Sequence, residues 1–164
     1  MSVKVTKDGM AAFKRGLEEL VRKRVLVGVP ADTTERQPDP DAPEPITNAA
    51  LAYIHDNGSP AANIPARPFM RPGIEDAKEE IAGRMKATAK AVLAGAPDAA
   101  DRGLHAVGMA AANSIKAKIT DGAFAPLAPA TIAKRRARGR TSEKPLTDTG
   151  QMRNAITYVV APKE

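Results

Sequence analysis

The chain contains no cysteine and no tryptophan, and aromatic residues make up only 3% of its 164 residues. Without cysteine it can form no disulfide, thiolate nucleophile or cysteine-ligated metal site, which fits a reducing compartment. Because large aromatic side chains are scarce, we expect a core built from Ala, Val, Leu, Ile and Met. The length predicts a single domain over residues 1–164.

Long apolar runs are also missing. No stretch approaches the roughly 18 apolar residues of a membrane-spanning helix, and the N-terminal segment "MSVKVTKDGM" lacks the apolar region of a signal peptide. We therefore expect no membrane contact and no leader sequence. The net charge is +6, with a pI near 9.7. Such a balance favours acidic partners, nucleic acid among them.

The usual patterns of catalytic chemistry are absent from the sequence. It contains no glycine-rich phosphate loop, and no serine stands in a nucleophile-elbow context. His55 and Asp56 have no third metal ligand nearby, and His105 lies on an apolar helix face. We therefore predict no catalytic residue, no cofactor and no metal. A small hydrolase whose site is assembled from distant residues remains a minor alternative.

The first part of the chain alternates between regular patterns and a polar insert. The segment "SVKVT" predicts a short strand, an apolar stripe from Met10 predicts a helix, and "RVLVGVP" predicts a second strand that pairs with the first. Residues 30–46 contain five prolines and five acidic residues. Such a composition predicts a flexible arm or loop that is ordered, if at all, by a neighbouring subunit.

The rest of the chain is mainly helical. Thr47 or Asn48 and the pair Asn57-Gly58 mark the two ends of one helix. Two long helices, one through residues 73–95 and one after Asp98, predict an antiparallel pair whose small residues allow close approach. A short helix enters through Pro129, and "AITYVVA" predicts a closing strand. The fold class predicted is α+β, with a small antiparallel or mixed sheet packed by the helical pair and shorter helices.

Three further segments stand out. "IPARPFMRPG", residues 64–73, contains three prolines and cannot be a helix interior or a central strand. "KRRARGRTSEK" carries six basic residues and predicts a loop at about 134–146. "PLTDTGQMRNAI" predicts a capped structural turn. The basic residues are Lys134, Arg135, Arg136, Arg138, Arg140 and Lys144, and the turn residues are Asp148, Thr149 and Gly150.

In this order, "YIHDNGS…IPARPFMRPGIE", "PLAPATIAKRR" and "KPLTDTGQMRNAITYVV" resemble the tail-completion and minor tail protein Z-like family of tailed bacteriophages. The resemblance spans about residues 46–160. It departs from the family pattern at His55-Asp56-Asn57, where a Glu and an aromatic residue are expected, and in the insert at residues 30–46.

The resemblance implies a non-enzymatic virion protein that completes the tail at the neck or tail end, or joins it to the head. It implies a homo-oligomeric ring, commonly hexameric, assembled in the host cytoplasm. The implied partners are the tail tube protein and head-completion or connector proteins, with possible contact to packaged double-stranded DNA. The alternatives are a minor capsid or virion morphogenesis protein and a nucleic-acid-binding module.

A role for the proline segment follows from both arguments. A stiff segment loses little conformational entropy when it docks, so it can act as a preorganised contact arm. Phe69 would be its apolar anchor, and Arg67 and Arg71 would donate hydrogen bonds to a neighbouring subunit or partner. The alternative is that all three residues serve the fold of one subunit. For the basic run, the interpretations are a solvent-facing or partner-facing loop and a DNA contact.

Overall fold

A computed structural model describes residues 9–31 and 46–163. Of the described residues, 60% are helical, and two strands form a small antiparallel sheet, which confirms the predicted α+β class. The elements are α1 (Met10–Arg22), β1 (Lys23–Gly28), α2 (Asn48–Asn57), a short 3₁₀ turn (Pro60–Ala62), α3 (Met70–Asp76), α4 (Lys78–Leu93), α5 (Ala99–Asp121), α6 (Pro129–Ala137), α7 (Gln151–Asn154) and β2 (Thr157–Pro162).

The described residues form two compact units. The first, called the sheet unit here, contains the residues up to Val27, Ala77–Ala111 and the chain from Tyr158 onward. The second, called the cavity unit, contains the described residues between Gly28 and Asp76 together with Ala112–Thr157. The boundary between the two units falls within α5, between Ala111 and Ala112. The sequence predicted one domain and did not anticipate this division.

The sheet unit contains the strand pair. The amide of Lys163 donates to the carbonyl oxygen of Arg22 at 2.6 Å, beside the start of β1 and the end of β2. Leu26 in β1 and Val159 in β2 are both about half exposed. The strand predicted at residues 2–6 lies outside the described residues. Among the described residues, β1 pairs with β2.

The antiparallel packing of α4 and α5 in the sheet unit depends on small residues. Thr88 packs on Gly103, and one turn further along α4 Val92 clusters with Ala99 and Ala100. A Cβ atom added at Gly103 would lie 2.0 Å from Thr88 Oγ1, so only glycine fits there. The predicted close approach of these two helices is confirmed.

The long helix predicted before Gly95 is interrupted. It is divided into α3 and α4 at Ala77, and α3 begins already at Met70. Pro72 lies in the first turn of α3, where its missing N–H group costs no hydrogen bond. Gly73 packs directly on α5, since an added Cβ atom would lie 2.7 Å from Ile115 Cα. The end of the proline segment is therefore helical.

Helix α2 opens the second described stretch and has the predicted ends. Thr47 is the N-cap, and its side chain accepts a hydrogen bond from the amide of Ala50 at 3.1 Å. Gly58 ends the helix at a φ of +79°, a conformation that glycine adopts readily. The predicted arm at residues 30–46 falls mainly on residues 32–45, which lie outside the described part.

Candidate functional site

A cavity of about 240 Å³ lies in the cavity unit, between α2, the proline segment, α6 and the turn before α7. Its walls combine cationic, amide and apolar side chains. The lining residues most relevant to its chemistry are Asn48, Arg67, Lys134, Arg135, Arg140 and Asp148. The three sequence segments that carry the phage resemblance each contribute to this lining.

Hydrogen bonds to other parts of the chain hold the proline segment, residues 64–73, at one side of the cavity. Arg67 Nε donates to the carbonyl of Ala125 at 2.8 Å, and Nη2 donates to the carbonyl of Pro126 at 2.9 Å. Asp56 Oδ1 accepts from the amides of Phe69 and Met70 at 2.7 and 2.9 Å. This carboxylate satisfies backbone donors at the start of α3 that would otherwise have no helical partner. Two remote parts of the chain thus hold the segment in place.

These contacts correct the interpretation of the segment as a contact arm. Phe69 is 0% exposed and Arg67 is 4% exposed, so neither side chain is available to a neighbouring subunit in this structure. Of the three residues predicted to contact a partner, only Arg71 is exposed. The physical reason is that the stiff backbone directs Phe69 into the core while Arg67 satisfies carbonyl groups of a later loop. The alternative, in which Arg67 and Phe69 serve the fold of one subunit, describes both residues.

The basic run is more ordered than a solvated loop. Lys134, Arg135 and Arg136 lie in the last turn of α6, because Lys and Arg are good helix formers. Arg135 is buried, and its Nη1 atom donates to the carbonyls of Ser142 and Lys144 at 3.0 and 2.9 Å. Its side chain therefore ties the following loop to the helix.

Two other arginines of the run are paired with carboxylates. Arg136 is hydrogen-bonded to Glu143, and Arg140 donates to Asp148 at 2.6 Å. Much of the charge that the sequence suggested for a DNA or partner contact is thus used within the unit. Arg138 follows α6 and is exposed, and Lys144 is exposed in the loop that Arg135 holds.

The predicted turn follows the basic run in the chain and contacts two of its arginines. Asp148 accepts from Arg140 and lies 3.5 Å from Arg135 Nε, so one carboxylate joins the turn to two arginines. Thr149 Oγ1 accepts from the amide of Gln151 at 3.4 Å. Gly150 has a φ of +74° and is the residue from which α7 starts. Asp148 therefore has an electrostatic role that the sequence analysis, which assigned it to the turn alone, did not predict.

Positive charge exceeds negative charge in the cavity wall. Even without Arg138, four cationic residues line it, namely Arg67, Lys134, Arg135 and Arg140, against the single carboxylate of Asp148. Burial, together with the nearby charge of Arg135, lowers the pKa of Arg67 below its usual value. Within the described residues, Lys134 Nζ has no carboxylate partner.

Asn48 adds a polar group without a partner. Its side chain is 5% exposed, and no described residue donates a hydrogen bond to its Oδ1 atom. A buried amide oxygen left in this way costs roughly 1–3 kcal/mol. From the sequence, Asn48 is expected only as a possible helix cap, because nothing near it in the chain indicates that α2 places it beside a cationic cavity.

The described residues show no arrangement for metal chemistry. No group of three His, Asp or Glu side chains among residues 9–31 and 46–163 is placed to hold a metal ion. The Ser114 hydroxyl donates to the carbonyl of Gly73 at 2.7 Å, and His105 lies 3.4 Å from the Tyr158 hydroxyl. The chemistry best matched to the cavity is the binding of an anionic group.

Comparison with known proteins returned no matching protein family, no matching curated protein and no matching solved structure. Among the described helices, none combines the length and the apolar character needed to cross a membrane.

Proposed function

We propose that the chain is a non-enzymatic structural protein of a tailed bacteriophage. In this proposal it acts at the neck or tail end as one subunit of an oligomeric ring that completes the tail or joins it to the head. The observation that carries the proposal is the meeting of three separate sequence segments, "YIHDNGS…IPARPFMRPGIE", "PLAPATIAKRR" and "KPLTDTGQMRNAITYVV", around one cavity. An ordered set of motifs that builds one site is stronger support for the resemblance than three isolated matches.

The roles of the polar residues support a scaffold rather than an enzyme. Asp56 accepts from backbone amides, Arg67 donates to backbone carbonyls, and Asp148 binds two arginines. Each of these contacts fixes the path of the chain. The distinctive residues of the segments are therefore used to hold loops in place, which suits a subunit that must present a fixed shape to its neighbours.

Exposed apolar side chains provide the second support, because they suit an assembling protein. In α1, Phe13 and Leu20 pack toward the sheet unit's core, while Leu17 and Val21, on the adjoining flank of the same stripe, are 46% and 61% exposed. Burying each such side chain in an interface would contribute about 1.5–3 kcal/mol. We propose that a neighbouring subunit covers this flank.

The structure gives less support to the nucleic-acid-binding alternative. Arg135 is buried, and Arg136 and Arg140 are engaged with carboxylates, so three of the six basic residues of the run are used internally. The chain also has only two tyrosines and three phenylalanines, of which Phe69 is fully buried, so few aromatic side chains could stack on bases.

A stop codon in the gene of the encoding phage tests the proposal. We expect DNA-filled heads and tails that fail to form joined, infectious particles, with complementation by the intact gene. Purified wild-type virions should contain the chain in a small fixed copy number by quantitative mass spectrometry. Infectious virions formed without the chain would refute the proposal.

The exposed flank of α1 provides a more specific test. Leu17→Glu should prevent incorporation into particles, because a carboxylate would be buried in the subunit interface. Ala11→Glu, at an exposed position outside the apolar stripe, is the matched control and should incorporate normally. In urea unfolding, the free energy of unfolding of both variants should equal that of the wild type to within about 0.5 kcal/mol. Equal incorporation of the two variants would show that this flank is not an interface.

A further inference from the structure

We infer that the cavity of the cavity unit is a binding site for an acidic side chain, Asp or Glu, carried by a peptide segment of a protein partner. The site itself is argued from geometry and charge. The assignment of the acidic segment to a partner in the virion rests on the proposed function.

The first argument is unused hydrogen-bonding capacity on buried cations. Arg67 uses Nε and Nη2, and Arg135 uses Nη1 with Nε near Asp148. Within the described part of the chain, Arg67 Nη1 and Arg135 Nη2 make no hydrogen bond. Two guanidinium groups that line the same cavity and retain free N–H donors match the two oxygens of a carboxylate.

The second argument is the residual charge of the lining. Asp148 is shared between Arg135 and Arg140, while Lys134, on the exposed rim, has no carboxylate partner among the described residues. Burial of Arg67 next to Arg135 is unfavourable because two positive charges are brought together away from water. An added carboxylate would relieve this repulsion. Binding should therefore also stabilise the folded state.

Apolar side chains distinguish a peptide from a simple anion. Leu51, Leu127, Leu146 and Met152 line the same cavity as the cations. Inorganic phosphate has no apolar group to place against them, whereas the methylene groups of an Asp or Glu residue can pack on them while its carboxylate binds the guanidinium groups. A peptide thus matches both the apolar and the cationic parts of the lining.

The size of the cavity agrees with this ligand. Its volume of about 240 Å³ is below the roughly 300–1,000 Å³ of typical small-molecule sites, and is suited to one side chain with adjoining backbone. Its innermost cations, Arg67 and Arg135, are buried, so a DNA duplex could reach only the exposed rim. A protein segment with an extended acidic side chain can enter where a duplex cannot.

Binding of short peptides to the purified full-length protein tests the inference. The probe is acetyl-Gly-Glu-Asp-Gly-amide, and the neutral control is acetyl-Gly-Gln-Asn-Gly-amide. Inorganic phosphate and a 12-base-pair duplex at the same ionic strength are the competing ligands. We expect the acidic peptide alone to shift the side-chain amide signal of Asn48 saturably in ¹H–¹⁵N spectra. Equal or tighter binding of phosphate or of the duplex at this signal would overturn the peptide assignment.

Three variants locate the site. Lys134→Gln should weaken peptide binding about three- to tenfold, because one partly screened charge is lost at the rim. Lys90→Gln removes the same charge from an exposed position in the sheet unit and should leave binding unchanged. Asn48→Asp places a carboxylate at the cavity and should abolish binding, followed in this variant at the backbone amide of the lining residue Leu51, while the remaining spectrum stays that of the folded protein. Equal effects of Lys134→Gln and Lys90→Gln would show that net charge alone attracts the peptide.

The outcomes separate this inference from the proposed function. The peptide experiment needs no virion, so failure to bind peptide refutes the site even if the chain proves essential for joining heads to tails. Specific peptide binding by a chain that virions do not contain would leave the site standing and refute its assignment to phage assembly.

Discussion

Two glycines in the sheet unit have opposite surroundings, which makes alanine substitution a sharp test of helix packing. A Cβ atom added at Gly83, in α4, meets nothing within 4 Å. A Cβ atom added at Gly103, in α5, would lie 2.0 Å from Thr88 Oγ1, 2.2 Å from its Cγ2 and 2.6 Å from its Cβ. The same chemical change therefore adds a methyl group to open space in one case and to a filled contact in the other.

The expected effects on stability differ in sign. Gly83→Ala should stabilise the protein by about 0.5–1 kcal/mol, because alanine restricts the unfolded chain and favours the helix. At Gly103 the same gain is opposed by an overpacking cost of about 1–3 kcal/mol. Rotation of Thr88 cannot relieve the clash, since its Cβ is itself too close and its hydroxyl donates to the Arg84 carbonyl at 2.8 Å. We expect a net loss of about 1–2 kcal/mol.

Urea unfolding followed by far-UV circular dichroism measures both free-energy changes. In thermal unfolding, a change of 1 kcal/mol corresponds to a shift of about 2–4 °C in Tm. The double variant Thr88→Ala/Gly103→Ala should recover part of the loss, because two of the three closest atoms are removed. Stabilisation by Gly103→Ala equal to that by Gly83→Ala would refute the close packing of α4 on α5.

Two further predictions concern the cavity unit. Arg67→Ala should destabilise the protein by about 2–4 kcal/mol, since two charge-assisted hydrogen bonds are lost, approaching the roughly 3–5 kcal/mol expected for Phe69→Ala. Arg71→Ala, at an exposed position, is the control and should change the free energy of unfolding in urea by less than about 0.5 kcal/mol. An equally small effect of Arg67→Ala would show that its hydrogen bonds to the carbonyls of Ala125 and Pro126 do not stabilise the fold. Asp56→Asn should cost about 1–2 kcal/mol, because an ionised acceptor of two amides becomes neutral. Faster hydrogen exchange at the amides of Phe69 and Met70 would accompany this loss, and unchanged protection would show that these amides do not depend on Asp56.

The features predicted well from the sequence are those with local causes. The Thr47 cap and the Gly58 stop act within a few residues, and their chemistry fixes the ends of α2. Glycine and alanine in α5, with the Gly95 and Pro97 turn that separates it from the helix before, likewise predicted a closely packed helix pair. Composition and periodicity were therefore sufficient for the α+β class and for most of the helices.

The features missed depend on residues distant in the chain. From the sequence Arg67 is expected to be exposed, because arginine is seldom buried. In the structure it is buried, and it donates to carbonyl groups 58 and 59 residues later in the chain. The pairing of Arg140 with Asp148 is likewise invisible in a count of basic residues. The division between α3 and α4 at Ala77 has no breaker residue to mark it. The cavity could not be predicted, since its walls come from four segments that meet only after folding.

The order in which the chain is synthesised matters for this architecture. The sheet unit begins in α1 but needs β2, which ends at Pro162, as the partner of β1. The cavity unit is likewise made from two stretches separated by Ala77–Ala111. During translation α1 can pack on α4 and α5 once Ala100 has left the ribosome, whereas β1 lacks its described strand partner until β2 has also emerged. The hydrogen-bonding edge of β1 is therefore open to other strands until β2 emerges, and pairing in that interval would compete with the native sheet.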